Sequence, residues 1–460
     1  KAGDVLDAFV WGNGRAVPGW SGPAVSAGSA GTVFQRAVME DSLGADSAGH
    51  FVTDGASAAA WRQGTDWLPR RMVRAAQSEL AYPTFTVPGA TAFTCPDSAF
   101  AVISQFIDKA SRRLDINLYH FTQPELADRV IAAIGRKVSV RLLLEGEPFM
   151  GVPPNARETM VKLQAGGVPV QLLHRAADGF KRYRFDHAKY AVADGHLCLM
   201  MSDNWTNTSV PSSQLTGHRG WGLVLDSAAL ADHLSRVFAG DWNSASLDSV
   251  PFNPDTQHVL RTAPRLVTEP QRALPQPIAP VQIGTPLTVT AFFAPDHALL
   301  QSQAICGLIR SAATTLDVQQ ASLSLFWGHG AGASVAATPN LFLAEVVAAA
   351  RRGVRVRVLM DGAFLNSQEP RDNSNTRQWV QSLGSAERLP LEARILDAKA
   401  TGMSIHNKGL IIDGRKVLIS SINWTENSPL ENREMGLIVE SEAAAAFYGA
   451  AFERDWAGGK

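Results

Sequence analysis

The order in which short segments recur limits the folds open to this chain more than any other feature. Thr91-Ala92-Phe93 with Pro96-Asp97 returns as Thr290-Ala291-Phe292 with Pro295-Asp296, and Leu114-Asp115-Ile116 returns as Leu316-Asp317-Val318. Val140-Arg141-Leu142-Leu143 ending in Glu145-Gly146 returns as Val356-Arg357-Val358-Leu359 ending in Asp361-Gly362. Asn204-Trp205-Thr206 returns as Asn423-Trp424-Thr425, and Phe238 with Asp241-Trp242 as Phe452 with Asp455-Trp456. The offset moves from 199 (290 − 91) to 219 (423 − 204) and back to 214 (452 − 238), the drift that loop insertions produce. A chain built this way is two copies of one unit, which halves the fold problem.

Each copy alternates strand and helix. Phe100, Ile103, Phe106, Ile107 and Ala110 fall at helical spacing over 99–113. Short apolar runs at 115–121, 138–144, 168–173 and 190–193 read as buried strands. Pro124 opens a helix to Arg136, and Gly166-Gly167 closes another over 157–163. In the second copy helices are expected near 301–313, 341–352 and 376–383. This pattern predicts an α/β fold: two duplicated α/β/α repeats related by a pseudo-twofold axis, with helices on both faces of a mixed sheet. The expected segments are a small, mostly β N-terminal region over 1–85, a first repeat over 86–250, a linker over 251–286 and a second repeat over 287–460. The stretch 250–286 holds eight of the 25 prolines, a composition that excludes helix and predicts an extended surface connection. Strand-like pieces such as Val5 to Trp11 and Gly and Ser clusters mark the first 85 residues.

Composition removes several function classes. Lys plus Arg total 42 and Asp plus Glu 43, so the chain is no globally basic polyanion binder, although a local basic patch stays open. Cys95, Cys198 and Cys306 are too few for a disulfide framework and match no zinc spacing; no metal or other cofactor is expected. No apolar run reaches the length of a membrane span. A start at Lys1, with abundant Gly, Ala and Ser and sparse Lys, reads as a processed, exported chain, secreted or at the cell surface, and as a monomer.

The chemistry falls at matching places in the two copies. Asp186-His187-Ala188-Lys189 precedes Asp194 and then Ser202-Asp203-Asn204; Ile405-His406-Asn407-Lys408 precedes Asp413 and then Ser421-Ile422-Asn423. Both read His-x-Lys-x4-Asp, with Ser and Asn eight and ten residues after the Asp. One such motif would arise by chance in roughly a few per cent of chains this long, but two in register inside a duplication would not. On a strand, side chains two apart share a face, so each His sits beside its Lys. A neutral imidazole beside an ammonium suits attack on an anionic phosphate, one group supplying the nucleophile and the other holding charge. Asn204 and Asn423 add neutral donors. Two such sets meeting across the axis give one pocket.

These paired motifs resemble the phospholipase D superfamily, the HKD phosphodiesterases, over about residues 86–460. The wording Arg184-Phe185-Asp186-His187-Ala188-Lys189-Tyr190 is similar to an archaeal or bacterial branch of exported phospholipase D-like proteins. Thr65-Asp66-Trp67 and Gly3-Asp4-Val5-Leu6-Asp7 faintly resemble the end of a lamin-tail-like β-sandwich. The superfamily resemblance implies one site between two α/β halves and a two-step reaction through a phosphohistidine, without a metal. It implies that one of His187 and His406 attacks phosphorus and the other protonates the leaving alcohol, while Lys189, Lys408, Asn204 and Asn423 hold phosphate oxygens. The motif members Asp194 and Asp413 are then anchors more than reacting groups, and Ser202, Ser421 and Arg184 are substrate-binding candidates. The superfamily also places a carboxylate after the Asn to orient a histidine. Glu434 fits, but alignment of Arg219 with Arg433 and Gly222 with Gly436 sets Gly220 opposite Glu434, so one histidine lacks its partner unless Asp203 or another acid substitutes. Met201 and Ser420 stand where many members have Gly, which weakens any carry-over of substrate.

The implied assignment is His187 as nucleophile, held by Glu434 across the interface, and His406 as acid and base. The expected reaction is hydrolysis or transfer of phospholipid head groups at a lipid or membrane surface. The alternatives are a nuclease on the same site, disfavoured by near-neutral charge, a cardiolipin-synthase-like phosphatidyltransferase, and a non-catalytic lipid-binding surface protein. Lys181-Arg182-Tyr183-Arg184 reads either as a solvated loop or as an anion-attracting patch. Phe149-Met150, Phe326-Trp327 and Phe364-Leu365 stand on loops at strand ends and read either as contacts to acyl chains or a membrane interface or as ordinary packing, and 328–332 reads as a flexible lid.

Overall fold

The computed structural model describes residues 82–460 except 150, 177–180, 214–216, 255–275, 297–298, 300–303, 329–332 and 363–370, together with the backbone of two earlier strands. Those strands, Thr32–Arg36 and Trp67–Arg71, pair antiparallel. The expected strand at Val5 to Trp11, the lamin-tail-like wording before Trp67, Met150, Phe364-Leu365 and the lid at 329–332 lie outside the described residues.

Seven strands recur in one order in each half. In the first sheet these run in the order Val170–Leu173, Ser139–Glu145, Arg113–Leu118, Tyr190–Ala193, Leu197–Met201, Gly217–Asp226, Ala90–Cys95. The second runs Leu391–Leu396, Arg355–Asp361, Thr315–Gln320, Lys408–Ile412, Lys416–Ser420, Glu434–Glu440, Leu287–Ala294. In both, the first three strands are mutually parallel and every later pairing is antiparallel. The parallel strands are joined through helices, Pro124–Gly135 and Leu341–Arg351 among them, as parallel connections require. Gln123 and Asn340 cap those helices by accepting from backbone N–H groups of their first turns.

The sheets sandwich a shared core. The helices Ala228–Trp242 and Glu442–Ala457, capped by Ser227 and Ser441, lie in the middle layer. Leu234, Phe238 and Leu223 of one half pack in a single cluster with Phe293, Leu437, Tyr448 and Phe452 of the other. Separate clusters fill each sheet's outer face. Burial of this much apolar surface between the halves welds them into one body.

The halves also exchange edge strands. Thr84–Val87, which precedes the first repeat, pairs with Leu287–Ala294 of the second sheet. Val281–Ile283, which precedes the second repeat, pairs with Ala90–Cys95 of the first sheet. The proline-rich stretch is therefore more than a surface connection: Ser249–Pro251 extends the first sheet at one edge and Val281–Ile283 at the other. Proline is compatible with such edge positions because only one side of the strand needs donors. Among the described residues no helix is long and apolar enough to cross a membrane.

Candidate active site

Carboxylates at strand ends fix the two histidine segments. Glu145 accepts from the Asp186 N–H at 2.5 Å, and Asp361, its repeat partner, accepts from the Ile405 N–H at 2.5 Å. Each histidine then reaches into the other half. The His187 N–H donates to the Arg433 carbonyl at 2.8 Å, and the His406 N–H to the Arg219 carbonyl at 2.9 Å. Met403–Ile405 lies parallel to Gly217–Asp226, with Ile405 opposite Arg219. Those arginines are themselves fully buried ties: Arg219 Nε donates to Asp455 at 2.8 Å and Arg433 Nη2 donates to Asp241 at 3.0 Å, each across the interface.

The imidazoles are oriented across the same boundary. His187 Nδ1 lies 2.8 Å from Glu434 Oε2, and His406 Nδ1 lies 3.0 Å from Asp203 Oδ1. Asp203 is thus the substitute acid for the half in which Gly220 replaces the glutamate. A Cβ on Gly220 would lie 2.6 Å from Asp203 Oδ2, so the missing side chain makes room for the new one. Asn432 donates to Glu434 at 3.0 Å. Its repeat equivalent, His218, stacks on the His406 ring at 5.4 Å and 22° and lies 3.9 Å from Asp203. Asp203, His218 and His406 bring three possible metal-ligand atoms within 4.8 Å of one another.

Both ammoniums turn toward the imidazole segments: Lys189 Nζ donates to the His187 carbonyl and Lys408 Nζ to the His406 carbonyl. Burial, opposed by Glu434 and Asp203, brings Lys189 down to about 8. Burial and the Lys189 ammonium bring Lys408 down to about 7. Lys408 thus feels Lys189, and His187 feels both ammoniums, which places the two lysines about one pocket. Burial, Lys189 and Lys408 hold His187 well below the usual imidazole range, and burial takes His406 to about 3 against the pull of Asp203. Burial raises Glu434 to about 7, whereas Asp203, though equally buried, is held well below the carboxylate range by His406 and His218. The pocket therefore presents neutral imidazoles, cations and two unequal carboxylates to an anion.

Asn204 and Asn423 follow the strands that flank the histidines, each with a buried side-chain Oδ1 that finds no partner among the described residues. Ser202 and Ser421 lie beside them, fully buried, each accepting the N–H of the next strand (Trp221 and Met435, both at 3.0 Å). Arg184 bonds Asn427 at 2.7 Å and Glu431 at 3.2 Å in the other half. Asp194 and Asp413 are not brought to the pocket. At turns with φ of 55° and 52°, they accept from the N–H groups of 111–113 and 313–315. Burial opposes but those bonds bring Asp194 down to about 2.

Comparison with known families agrees with this duplicated architecture. The model described as "cardiolipin synthase, PLD-like domain" matches residues 103–242 and 305–456. The chain belongs to the phospholipase D superfamily. Among relatives of this superfamily, mitochondrial cardiolipin hydrolase of Xenopus tropicalis is 27% identical over 169 residues, 36% of this chain and 73% of that protein. Phospholipase D of Rickettsia bellii is 29% identical over 142 residues, 31% of this chain and 60% of that protein. The phosphatidylserine synthase structure from Haemophilus influenzae Rd KW20 is similar at a TM-score of 0.58 and 13% identity, covering 82% of this chain and 89% of that one. That likeness is one of fold.

Several residues of this phospholipase D-type pocket escape a reading by repeats. Tyr119 stands edge-on to His187 at 4.9 Å, and His120, taken to about 3 by burial, Lys189 and His187, adjoins it. Their repeat positions hold Ala321 and Ser322, and that of His218 holds Asn432. A departure from the repeat beside a motif was the available signal. The basic run is neither solvated nor free: Lys181 pairs with Glu145 at 2.5 Å and Arg182 with Asp248 at 2.7 Å, all buried. Phe326 and Trp327 are buried too, with Trp327 edge-on to Phe342, whereas Phe149 is 72% exposed.

Proposed function

We propose that this chain is a phosphodiesterase that cleaves phospholipid head groups, by hydrolysis or by transfer to an alcohol, with His187 as nucleophile and His406 as acid and base. The observation that carries the reading is the reciprocal pairing of each imidazole with a carboxylate of the other half. A hydrogen bond at Nδ1 fixes the ring and leaves Nε2 for chemistry. His187 Nε2 attacks phosphorus and the P–O bond to the leaving alcohol breaks. The proton on His406 Nε2 passes to that alkoxide. His406 then removes a proton from water or an acceptor alcohol, whose oxygen displaces His187 from phosphorus. The lysine ammoniums and asparagine amides stabilise the extra negative charge of each transition state.

The unequal carboxylates support this division. Burial leaves His406 neutral in the empty pocket; with the phosphate bound, that anion and Asp203, the firmer carboxylate, together favour the imidazolium that an acid needs. Glu434, raised to about 7, stabilises a cation on His187 less and leaves it neutral for attack. The names of the cardiolipin hydrolase and phospholipase D relatives support a phospholipid substrate. So does Phe149, whose N–H donates to the Tyr119 hydroxyl at 2.8 Å and whose exposed ring sits beside the pocket.

The test is a parallel assay on phosphatidylcholine, phosphatidylglycerol and single-stranded DNA. Choline or glycerol release, or transfer to added alcohol, supports the proposal; DNA cleavage alone assigns a nuclease, and silence with vesicle binding assigns a lipid-binding protein. Trapping the covalent phospho-enzyme and sequencing the labelled peptide places the label on His187; a label on His406 reverses the roles.

A further inference from the structure

We infer that Asp203, His218 and His406 form a site for one divalent transition-metal ion, Zn2+ being the best match, and that its occupancy shuts the enzyme down. The inhibition rests on the role of His406 given above; the binding does not.

The donor set has the right chemistry and nearly the right spacing. Two imidazoles and one carboxylate suit zinc, whose bonds of about 2.0–2.2 Å in tetrahedral geometry hold ligand atoms roughly 3.3 Å apart. Asp203 Oδ1 lies 3.0 Å from His406 Nδ1 and 3.9 Å from His218 Nδ1, on either side of that value. All three atoms fall within 4.8 Å. The two rings stack with each Nδ1 within 3.9 Å of the same carboxylate oxygen, and an ion entering there takes the place of the Ser209 hydroxyl, which donates to Asp203 Oδ1 and lies 3.2 Å from His218 Nδ1. Asp203 is buried, and the ring side chains are 14% and 21% exposed, which gives an ion a route from solvent.

The site is particular to one half of a symmetric pocket. Asn432 replaces His218 in the other half and spends its amide on Glu434, leaving His187 and Glu434 as a two-donor set. Among the described residues no other group of three such side chains brings its donor atoms so close. One ion per chain is expected.

Occupancy has a defined chemical effect. The single proton of the neutral His406 ring shifts by way of solvent from Nδ1 to Nε2, and Nδ1 binds the metal in place of hydrogen-bonding to Asp203. The ring is then fixed with that proton on Nε2 and a dication behind it. Such a ring has no free nitrogen with which to deprotonate water, so the phosphohistidine is not resolved. No electron is transferred.

The experiment uses the full chain, freed of metal by chelator dialysis and titrated with Co2+. One equivalent should give the intense visible absorption of tetrahedral cobalt, displaced by one equivalent of Zn2+. His218→Asn, which installs the side chain already present in the other half, should weaken binding at least tenfold, as should Asp203→Asn. Zn2+ should inhibit phosphodiester cleavage with the same constant by which it displaces cobalt, and EDTA should reverse it. Absence of binding below about 100 µM, or binding unchanged in His218→Asn, overturns the site. Binding without inhibition overturns the regulatory role. A chain that binds metal as stated but cleaves no phosphodiester leaves the site standing and overturns the enzyme reading instead.

Discussion

Asp203 occupies the space that a side chain at Gly220 would need: a Cβ there would lie 2.6 Å from its Oδ2 and 3.0 Å from the Ser202 hydroxyl. The carboxylate that the other half carries on Glu434 has moved seventeen residues upstream (220 − 203) while still meeting a histidine of the opposite half. Asp203→Ile, which copies Ile422, should lower kcat by about 10²–10⁴-fold with little change in KM, because an unoriented imidazole transfers protons poorly. Adding Gly220→Glu should recover part of that loss. Steady-state kinetics decide the matter, and a double variant no better than the single one refutes the equivalence.

Anion binding should be pH-dependent in a definite direction. Burial, with Lys189, brings Lys408 to about 7, whereas an unfolded lysine titrates near 10.4. At pH 8 the empty pocket therefore holds Lys408 mostly neutral, and a bound anion draws a proton onto it. Sulfate binding measured by calorimetry in two buffers of different ionisation enthalpy should show proton uptake at pH 8 and little at pH 6. The same lysine binds fewer protons folded than unfolded between about 7 and 10.4, so its contribution to stability increases with pH across that window. Proton release on sulfate binding would contradict the assignment.

The buried pair Arg433–Asp241 ties the second sheet to the helix Ala228–Trp242 of the first half. Arg433→Met leaves Asp241 buried without its main counter-charge and should cost about 3–5 kcal/mol. Urea unfolding of the single variant and of Arg433→Met combined with Asp241→Leu measures this. The double variant should be the more stable of the two; equal losses would mean that the pair is only packing.

Phe149→Asp should distinguish a lipid surface from a soluble phosphodiester. The exposed ring takes no part in the imidazole–carboxylate network; the bond to the Tyr119 hydroxyl comes from the Phe149 backbone N–H, which the substitution keeps. Cleavage of vesicle phospholipid should fall on the order of tenfold, consistent with loss of a buried aromatic contact. Cleavage of a short-chain soluble analogue should stay near the parent rate. Equal losses on both would place Phe149 in the pocket wall.

Much of this architecture was legible in the repeats. Matching runs such as Val140–Leu143 and Val356–Leu359 become the same strand of two identical sheet orders, because strand position follows local apolar pattern. His187, Lys189, His406 and Lys408 were legible because the motif appears twice. Asp203 could be named as a substitute for the carboxylate missing at position 220 but not chosen over other acids, since only the folded sheet brings those positions together. His218, Tyr119 and His120 differ from Asn432, Ala321 and Ser322, and comparing repeats discards what is not shared. The partners of Lys181 and Arg182, namely Glu145 and Asp248, are 36 and 66 residues away, beyond any local pattern. The edge-strand exchange escaped because Thr84–Val87 precedes the repeated segments.

The reciprocal pairing of rings and acids sets a timetable for biosynthesis. His187 is translated 247 residues before Glu434. A chain still on the ribosome can fold its first sheet, yet the His187 ring stays without its carboxylate until Glu434 has been made. A fragment ending before Glu434 therefore lacks the partner that orients its first imidazole.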